Sequence, residues 1–151
     1  MKKLERYNES EDRFNLCLRE FKQHYGALKE LIDISLKKGR EINEFKNLID
    51  RFFNLDPTNP RVCQDLLDLF DENERVNEIK LIFEQKFKEF ESNMEVQGNV
   101  YYHLGLLYIE LCENDKAIDC FLIARERFNR TPESNHYVLD LIKQNLKNLK
   151  N

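Results

Sequence analysis

Two amphipathic segments in the last third of the chain constrain the fold most. Their apolar and small residues recur at i, i+3, i+4 and i+7, which predicts one helix from about Gly98 to Leu111 and another capped by Asn114. Gly105 and Ala117 are small where two antiparallel helices would cross, so the backbones can approach closely. A glycine inside a helix costs roughly 0.5–1 kcal/mol relative to alanine, which indicates a packing role. The predicted packing residues are Tyr101, Leu104, Gly105, Tyr108, Ala117, Phe121 and Ala124.

The spacing Tyr101-x2-Leu104-Gly105-x2-Tyr108, followed by Ala117-x3-Phe121, resembles the tetratricopeptide repeat, a helical hairpin of about 34 residues. The resemblance implies that such hairpins stack into an α-α superhelix. Proteins built in this way usually hold another protein. The alternative is an ordinary amphipathic helical hairpin.

The same spacing divides the rest of the chain. Residues 26–59, 60–97 and 98–131 become three repeats, of which the first two are degenerate, between an N-terminal helix in 1–25 and a capping helix in 132–151. We therefore predict an all-α fold, a tetratricopeptide solenoid of three repeats. It would have eight helices, or seven if the N-terminal helix continues into the first repeat.

The second repeat follows the turn Asp56-Pro57-Thr58-Asn59-Pro60. Asn59 is expected to cap its first helix, and Pro60 fits the first turn because its missing N–H would have no partner there. Leu67 and Ile79 stand where the family has small residues, so we expect a wider crossing of the two helices.

The ends of three further helices are marked by breakers and caps. Gly39 is expected to separate the two helices of the first repeat. The N-terminal helix is expected to begin at Ser10, with Glu11 and Asp12 in its first turn, and the last helix at 131–133.

The composition favours a soluble helical protein. Hydrophobic residues make up 41% and charged residues 34% of the 151, with four glycines and three prolines. The N-terminus lacks the apolar core of a signal peptide and no apolar run is long enough to span a membrane, so we expect a cytoplasmic protein without membrane contact. Cysteines Cys17, Cys63, Cys112 and Cys120 form no C-x-x-C pair, and we predict reduced, buried thiols without a metal or cofactor.

The net charge is −4, and residues 60–97 alone hold ten Asp/Glu against five Lys/Arg. An acidic total without a basic cluster argues against nucleic acid, because phosphate neutralisation needs a concentrated basic face.

The family resemblance implies that the first helix of each repeat lines a concave, partner-binding surface. Acidic residues of the second repeat adjoin an aromatic and aliphatic patch on the third, which suits a peptide or helical segment with apolar anchors and a nearby Lys or Arg. The candidate partner-binding residues are Gln64, Asp65, Asp68, Glu72, Asn99, Tyr102, His103 and Leu106. Arg61, Asp71, Ile109 and Glu110 belong to the same expected surface. The alternative is that the acids form only a solvated face and the tyrosine belongs to the core.

We predict a non-catalytic protein-interaction module, adaptor or chaperone-like, and not an enzyme. His103 and Cys120 are the only conceivable nucleophile pair, and that cysteine is more simply a small core residue. Size and layout resemble those of small three-repeat chaperones that escort secretion translocators. The alternative is a structural subunit that self-associates through its N-terminal helix, with a homodimer as one possibility.

Overall fold

The chain is almost entirely helical. The computed structural model describes residues 2–131 and 136–150, which form eight α-helices and no strand. The helices are α1 (Lys2–Glu20), α2 (Tyr25–Lys37), α3 (Ile42–Phe53), α4 (Pro60–Glu72), α5 (Val76–Glu89), α6 (Met94–Glu110), α7 (Asn114–Asn129) and α8 (His136–Lys150). The prediction of an all-α fold is confirmed. None of the helices in the described ranges is both long and apolar enough to cross a membrane.

Three alternate helices form a continuous layer. Each helix packs against its neighbour in sequence, and α4 in addition contacts both α2 and α6. We call these three helices the α2–α4–α6 layer. A layer of alternate helices is compatible with a stack of helical hairpins, in which each hairpin contacts only its neighbours.

The helix ends that depend on local residues lie where the sequence predicts them. The Asn59 side chain accepts a hydrogen bond from the Arg61 N–H at 3.0 Å, and Pro60 occupies the first position of α4. Gly39 has a φ of +70° just after α2, a left-handed conformation in which a side chain would be strained. The chain therefore turns between α2 and α3 at the predicted glycine.

The N-terminal helix begins earlier than predicted, at Lys2 instead of Ser10. Glu11 therefore lies in the middle of α1 and not in its first turn. Its carboxylate accepts hydrogen bonds of 3.0 Å from Lys38 Nζ and from Arg40 Nη2, both at the far end of α2. These tertiary contacts hold the middle of α1 against the C-terminal end of α2.

The first two helices are separate. The His24 ring accepts a hydrogen bond from the Ala27 N–H at 3.0 Å and so caps α2. The expectation of eight helices is confirmed within the described residues, and that of seven is wrong.

The helix predicted to begin at Gly98 also starts earlier than expected. α6 begins at Met94, where the Asn93 side chain accepts from the Val96 N–H at 3.1 Å, so the boundary placed between residues 97 and 98 falls inside this helix. The additional turn is stabilised from outside: Val96 is fully buried, and Gln97 Nε2 donates to the Phe87 carbonyl at 2.9 Å. A fixed 34-residue spacing cannot anticipate such contacts.

The last two helices follow the prediction with small corrections. The N-cap of α7 is Glu113, so Asn114 is the first helical residue and not the cap. The expected start of the last helix falls partly on Pro132 and Glu133, which lie outside the described residues. α8 packs against α7, and its Val138 and Ile142 are buried.

The α6–α7 hairpin is the most closely packed pair in the described structure. A Cβ atom on Gly105 would lie 2.6 Å from Phe121 Cε1, so only glycine allows this approach. Tyr101 is half-buried and its ring stacks on Phe87 at 3.9 Å. The other predicted packing residues, Leu104, Tyr108, Ala117, Phe121 and Ala124, are buried. α4 and α5 approach less closely, as the larger Leu67 and Ile79 predict.

The four cysteines are free thiols. Cys63 and Cys120 are buried, whereas Cys17 is half-buried and Cys112 is exposed. The prediction of buried thiols is therefore wrong for Cys112, which lies in the turn between α6 and α7 with a φ of +59°.

A candidate partner-binding face on α4 and α6

The residues predicted to meet a partner fall into two groups. Those on α4 reach the surface, whereas three of the four on α6 are buried. Only 1% of Asn99, 1% of His103 and 7% of Tyr102 is exposed.

Asn99 connects two parts of the chain that are distant in sequence. Its Nδ2 donates to the carbonyl oxygens of Pro57 at 3.2 Å and Asn59 at 3.3 Å. It thereby attaches the turn before α4 to the middle of α6. In this structure Asn99 is a packing residue, and its side chain is not available to a partner.

His103 and Tyr102 are also part of the interior. His103 Nδ1 donates to the Asn99 carbonyl at 2.8 Å, and burial lowers the pKa of this imidazole to about 4. The Tyr102 ring meets the His103 ring edge-on at 5.0 Å, and Tyr137 of α8 lies close enough to contribute to the raised pKa of Tyr102. Tyr102 is therefore a core residue, which agrees with the alternative interpretation of the sequence.

The exposed group forms a cluster of carboxylates across two helices. Asp68 and Asp71 of α4 lie near Glu110 of α6. The pKa of Glu110 is raised mainly by burial of its carboxyl group and further by the negative charges of these two aspartates. Leu106 and Ile109 lie half-buried on the same helix as Glu110. We define the acidic face as Asp68, Asp71, Glu72, Leu106, Ile109 and Glu110.

The carboxylates of the acidic face have no cationic partner in the described part of the chain. Among the side chains that the structure describes, no Lys, Arg or His nitrogen forms an ion pair with Asp68, Asp71, Glu72 or Glu110. Asp68 accepts a hydrogen bond from Gln64 Nε2 at 2.9 Å, which leaves its charge in place. Like charges gathered in this way repel one another, and a cationic partner would relieve the repulsion.

Asp65 differs from its neighbours because it is already engaged. It accepts a hydrogen bond from the Tyr25 hydroxyl and lies 3.7 Å from Arg61 Nε. Burial and this carboxylate together raise the pKa of Tyr25. Asp65 therefore links α2 to α4, and its availability to a partner is lower than that of Asp68.

The face is not arranged as a metal site. In the part of the chain that the structure describes, no group of three or more His, Cys, Asp or Glu could hold a metal ion. Carboxylates beside half-buried aliphatic side chains suit a basic protein segment better than a bare cation, because the segment would also cover Leu106 and Ile109.

The thiol of Cys120 and the imidazole of His103 have the protonation states expected of buried core groups. Burial raises the pKa of Cys120 to about 12 and lowers that of His103 to about 4. At neutral pH the thiol is protonated and the imidazole is neutral. An activated cysteine needs the opposite shift, since the thiolate is the nucleophile.

Comparison with known proteins gives no relative: no protein-family model, curated protein or solved structure matches the chain. The acidic face is therefore interpreted from its own geometry.

Sequence reasoning placed Asp71 and Glu110 on the expected surface but did not single them out. Asp68 and Asp71 are three residues apart on α4, a spacing that puts both on one side of a helix, and this is readable from the sequence. Their approach to Glu110 depends on how α4 packs against α6, which the sequence does not contain.

Proposed function

We propose that this chain is a non-catalytic protein-interaction module whose acidic face binds a basic, amphipathic segment of another protein. The observation that carries the proposal is the nearness of Asp68 and Asp71 to Glu110, with no ion pair to any of the three among the described side chains. A Lys or Arg placed among them would reduce their repulsion, and apolar side chains of the same segment would cover Leu106 and Ile109.

The helix arrangement supports the same proposal. The α2–α4–α6 layer is compatible with stacked hairpins, and the motif from Tyr101 to Phe121 resembles the tetratricopeptide repeat. We propose three such repeats, in an adaptor or chaperone-like protein. The four free cysteines suit a reducing compartment such as the cytoplasm, which is where we propose that it acts.

A binding role is favoured over catalysis by the state of the cysteine in the candidate His103–Cys120 nucleophile pair. The Cys120 thiol has a pKa of about 12 and is protonated at neutral pH. The pKa of the second buried thiol, Cys63, is also raised by burial. Neither resembles a thiol prepared for attack.

The proposal is tested by capture of binding proteins from a lysate of the cells that make this chain. The bait variant is Asp68→Lys/Glu110→Lys. The matched control is Asp119→Lys/Asp140→Lys, which makes the same change in net charge at exposed positions of α7 and α8. Quantitative mass spectrometry compares both baits with the wild type.

We expect the wild type and the control to retain a common set of proteins that the face variant loses. This capture should also weaken as salt is raised, because it depends on exposed charges. If the face variant retains the same proteins as the wild type, or if both variants lose them equally, the acidic face is not the binding site.

A further inference from the structure

A second surface lies between α1 and α3. The two helices border a groove of about 1000 Å³, which the loop between α1 and α2 also lines. Leu16 lines it from α1, and Arg19, Lys22 and Arg51 supply positive charge. Asp12 is its only acidic lining residue. The groove lies between α1 and α3, whereas the acidic face lies on α4 and α6.

Exposed apolar side chains are concentrated at this end of the described structure. Leu4 is 53%, Leu16 57% and Phe21 62% exposed, and only two other large hydrophobic residues, Leu81 and Tyr137, are comparably exposed in the described ranges. Leu16 is the one of these three that lines the groove, so docking there would remove a large exposed apolar side chain from water.

The charges along α1 follow a simple order. Glu5, Glu9, Asp12, Leu16 and Arg19 recur at helical spacing along one stripe, with the acids first, the leucine next and the base last. All five are exposed. None of the four charged residues forms an ion pair within the part of the chain that is described. Among the described side chains, the stripe is therefore charged at both ends and has no ion pair at either end.

We propose that the α1–α3 groove receives α1 of a second copy of this chain, in the antiparallel direction, to form a two-fold symmetric dimer. In a pair centred between Asn15 and Leu16, Asp12 of each copy faces Arg19 of the other. By the same register, Glu9 of each copy approaches Lys22 of the other. The two Leu16 side chains lie near the two-fold axis and are removed from water.

The order of charges favours a second copy over a foreign acidic peptide. An acidic peptide would neutralise Arg19, Lys22 and Arg51 but would leave Glu9 and Asp12 unpaired. A second copy pairs both ends at once, because a two-fold interface is complementary to itself. A parallel copy would instead place acid against acid.

The groove adds contact area to that of two exposed helices. A stable interface buries about 1,200 Å² or more in total. A helix lying in the groove contacts α3 as well as α1, and the symmetry repeats this contact on the other copy. The four helices then lie in the order α3, partner α1, α1 and partner α3.

The test is the mass of the full-length protein in solution, measured by sedimentation velocity and light scattering over a range of concentrations. The wild type is expected to be a dimer. Asp12→Arg and Arg19→Asp each place like charges opposite one another twice, and should each raise the dissociation constant at least about tenfold. Circular dichroism checks that both variants keep the helical content of the wild type.

The decisive experiment is to mix the two variants. In the mixed pair, the arginine introduced at position 12 of one copy faces the aspartate introduced at position 19 of the other. The native Arg19 of the first copy likewise faces the native Asp12 of the second, so both pairs are attractive again. A C-terminal mass tag on one variant identifies the mixed dimer, which should form with an affinity near that of the wild type. A charge reversal on α7, Asp119→Lys, should leave the wild-type dimer unchanged.

Three results would overturn the proposal. The first is a wild type that stays monomeric up to about 0.1 mM. The second is a dimer that persists in both single variants, or that mixing does not restore. The third is a monomeric wild type that binds a fluorescent poly-glutamate peptide and loses it in Arg19→Asp but not in Asp12→Arg, which would assign the groove to a foreign acidic segment.

Discussion

Replacing Gly105 by alanine distinguishes close helix packing from simple helix propensity. At an exposed position in a helix, glycine to alanine stabilises by about 1 kcal/mol. At Gly105 the new Cβ would lie 2.6 Å from Phe121 Cε1 and 2.9 Å from two further atoms of that ring. Since Phe121 has no exposed surface, the ring cannot move away without displacing its neighbours.

The net effect follows from the two opposing terms. Overpacking of a filled core costs about 1–3 kcal/mol, which at this contact is expected to exceed the gain in propensity. We therefore expect Gly105→Ala to lower the free energy of unfolding by about 1–2 kcal/mol. For a chain of this size, that corresponds to about 2–4 °C in Tm for each kcal/mol.

The assay is urea denaturation followed by circular dichroism, with Gly26→Ala as the matched control. A Cβ on Gly26 would meet only the exposed His24 ring, at 3.3 Å, so this change should be neutral or slightly stabilising. In a double-mutant cycle, Phe121→Leu should reduce the cost of Gly105→Ala, because the smaller side chain leaves room for the methyl group. A Gly105→Ala protein more stable than the wild type would refute the close crossing.

Two further predictions concern pH and the docking of α1. The pKa of His103 falls from 6.5 to about 4 on folding. As pH falls from 6.5 towards 4, the imidazole is protonated in the unfolded chain but stays neutral in the folded one, so the free energy of unfolding decreases over this range. This amounts to about 2 kcal/mol between pH 7 and pH 5. Denaturation at both pH values should show a smaller loss in His103→Gln, and equal losses would contradict the assignment. Glu11→Gln weakens the contacts with Lys38 and Arg40, so hydrogen exchange should accelerate in α1 but not in α6 or α7. The exposed Arg13→Gln serves as control, and equal exchange of α1 in the two variants would show that Glu11 does not hold this helix.

Features that depend on a few neighbouring residues could be predicted from the sequence. Asn59 and Pro60 define the start of α4 because a cap acts within one turn. Gly105 indicates a close crossing because a glycine inside a helix is costly unless something packs against it. Such local signals identified the helical hairpins and the residues between them.

Features that depend on distant contacts were missed. The burial of Asn99 requires the turn around Pro57, and Tyr102 is close to Tyr137 of α8. Helical spacing assigns a residue to a side of its own helix but does not say which other helix covers that side. The expected aromatic patch on α6 was therefore placed on residues that are buried in the fold.

The start of α6 shows a conflict between a local signal and a family spacing. Asn93 is a good N-cap, and it does cap this helix. The 34-residue spacing placed the start at Gly98 instead. A repeat spacing describes the average hairpin, whereas the additional turn here is stabilised by the contacts of Val96 and Gln97.

Site-specific photocrosslinking can locate the partner directly. A benzoylphenylalanine at position 106 lies within the acidic face, and one at position 119 lies on the exposed side of α7. After irradiation in the cells that make this protein, position 106 should give an adduct with another polypeptide, position 119 should not, and Asp68→Lys/Glu110→Lys should abolish the adduct. Adducts from position 119 alone, or an adduct from position 106 that survives the charge reversal, would contradict binding at the acidic face.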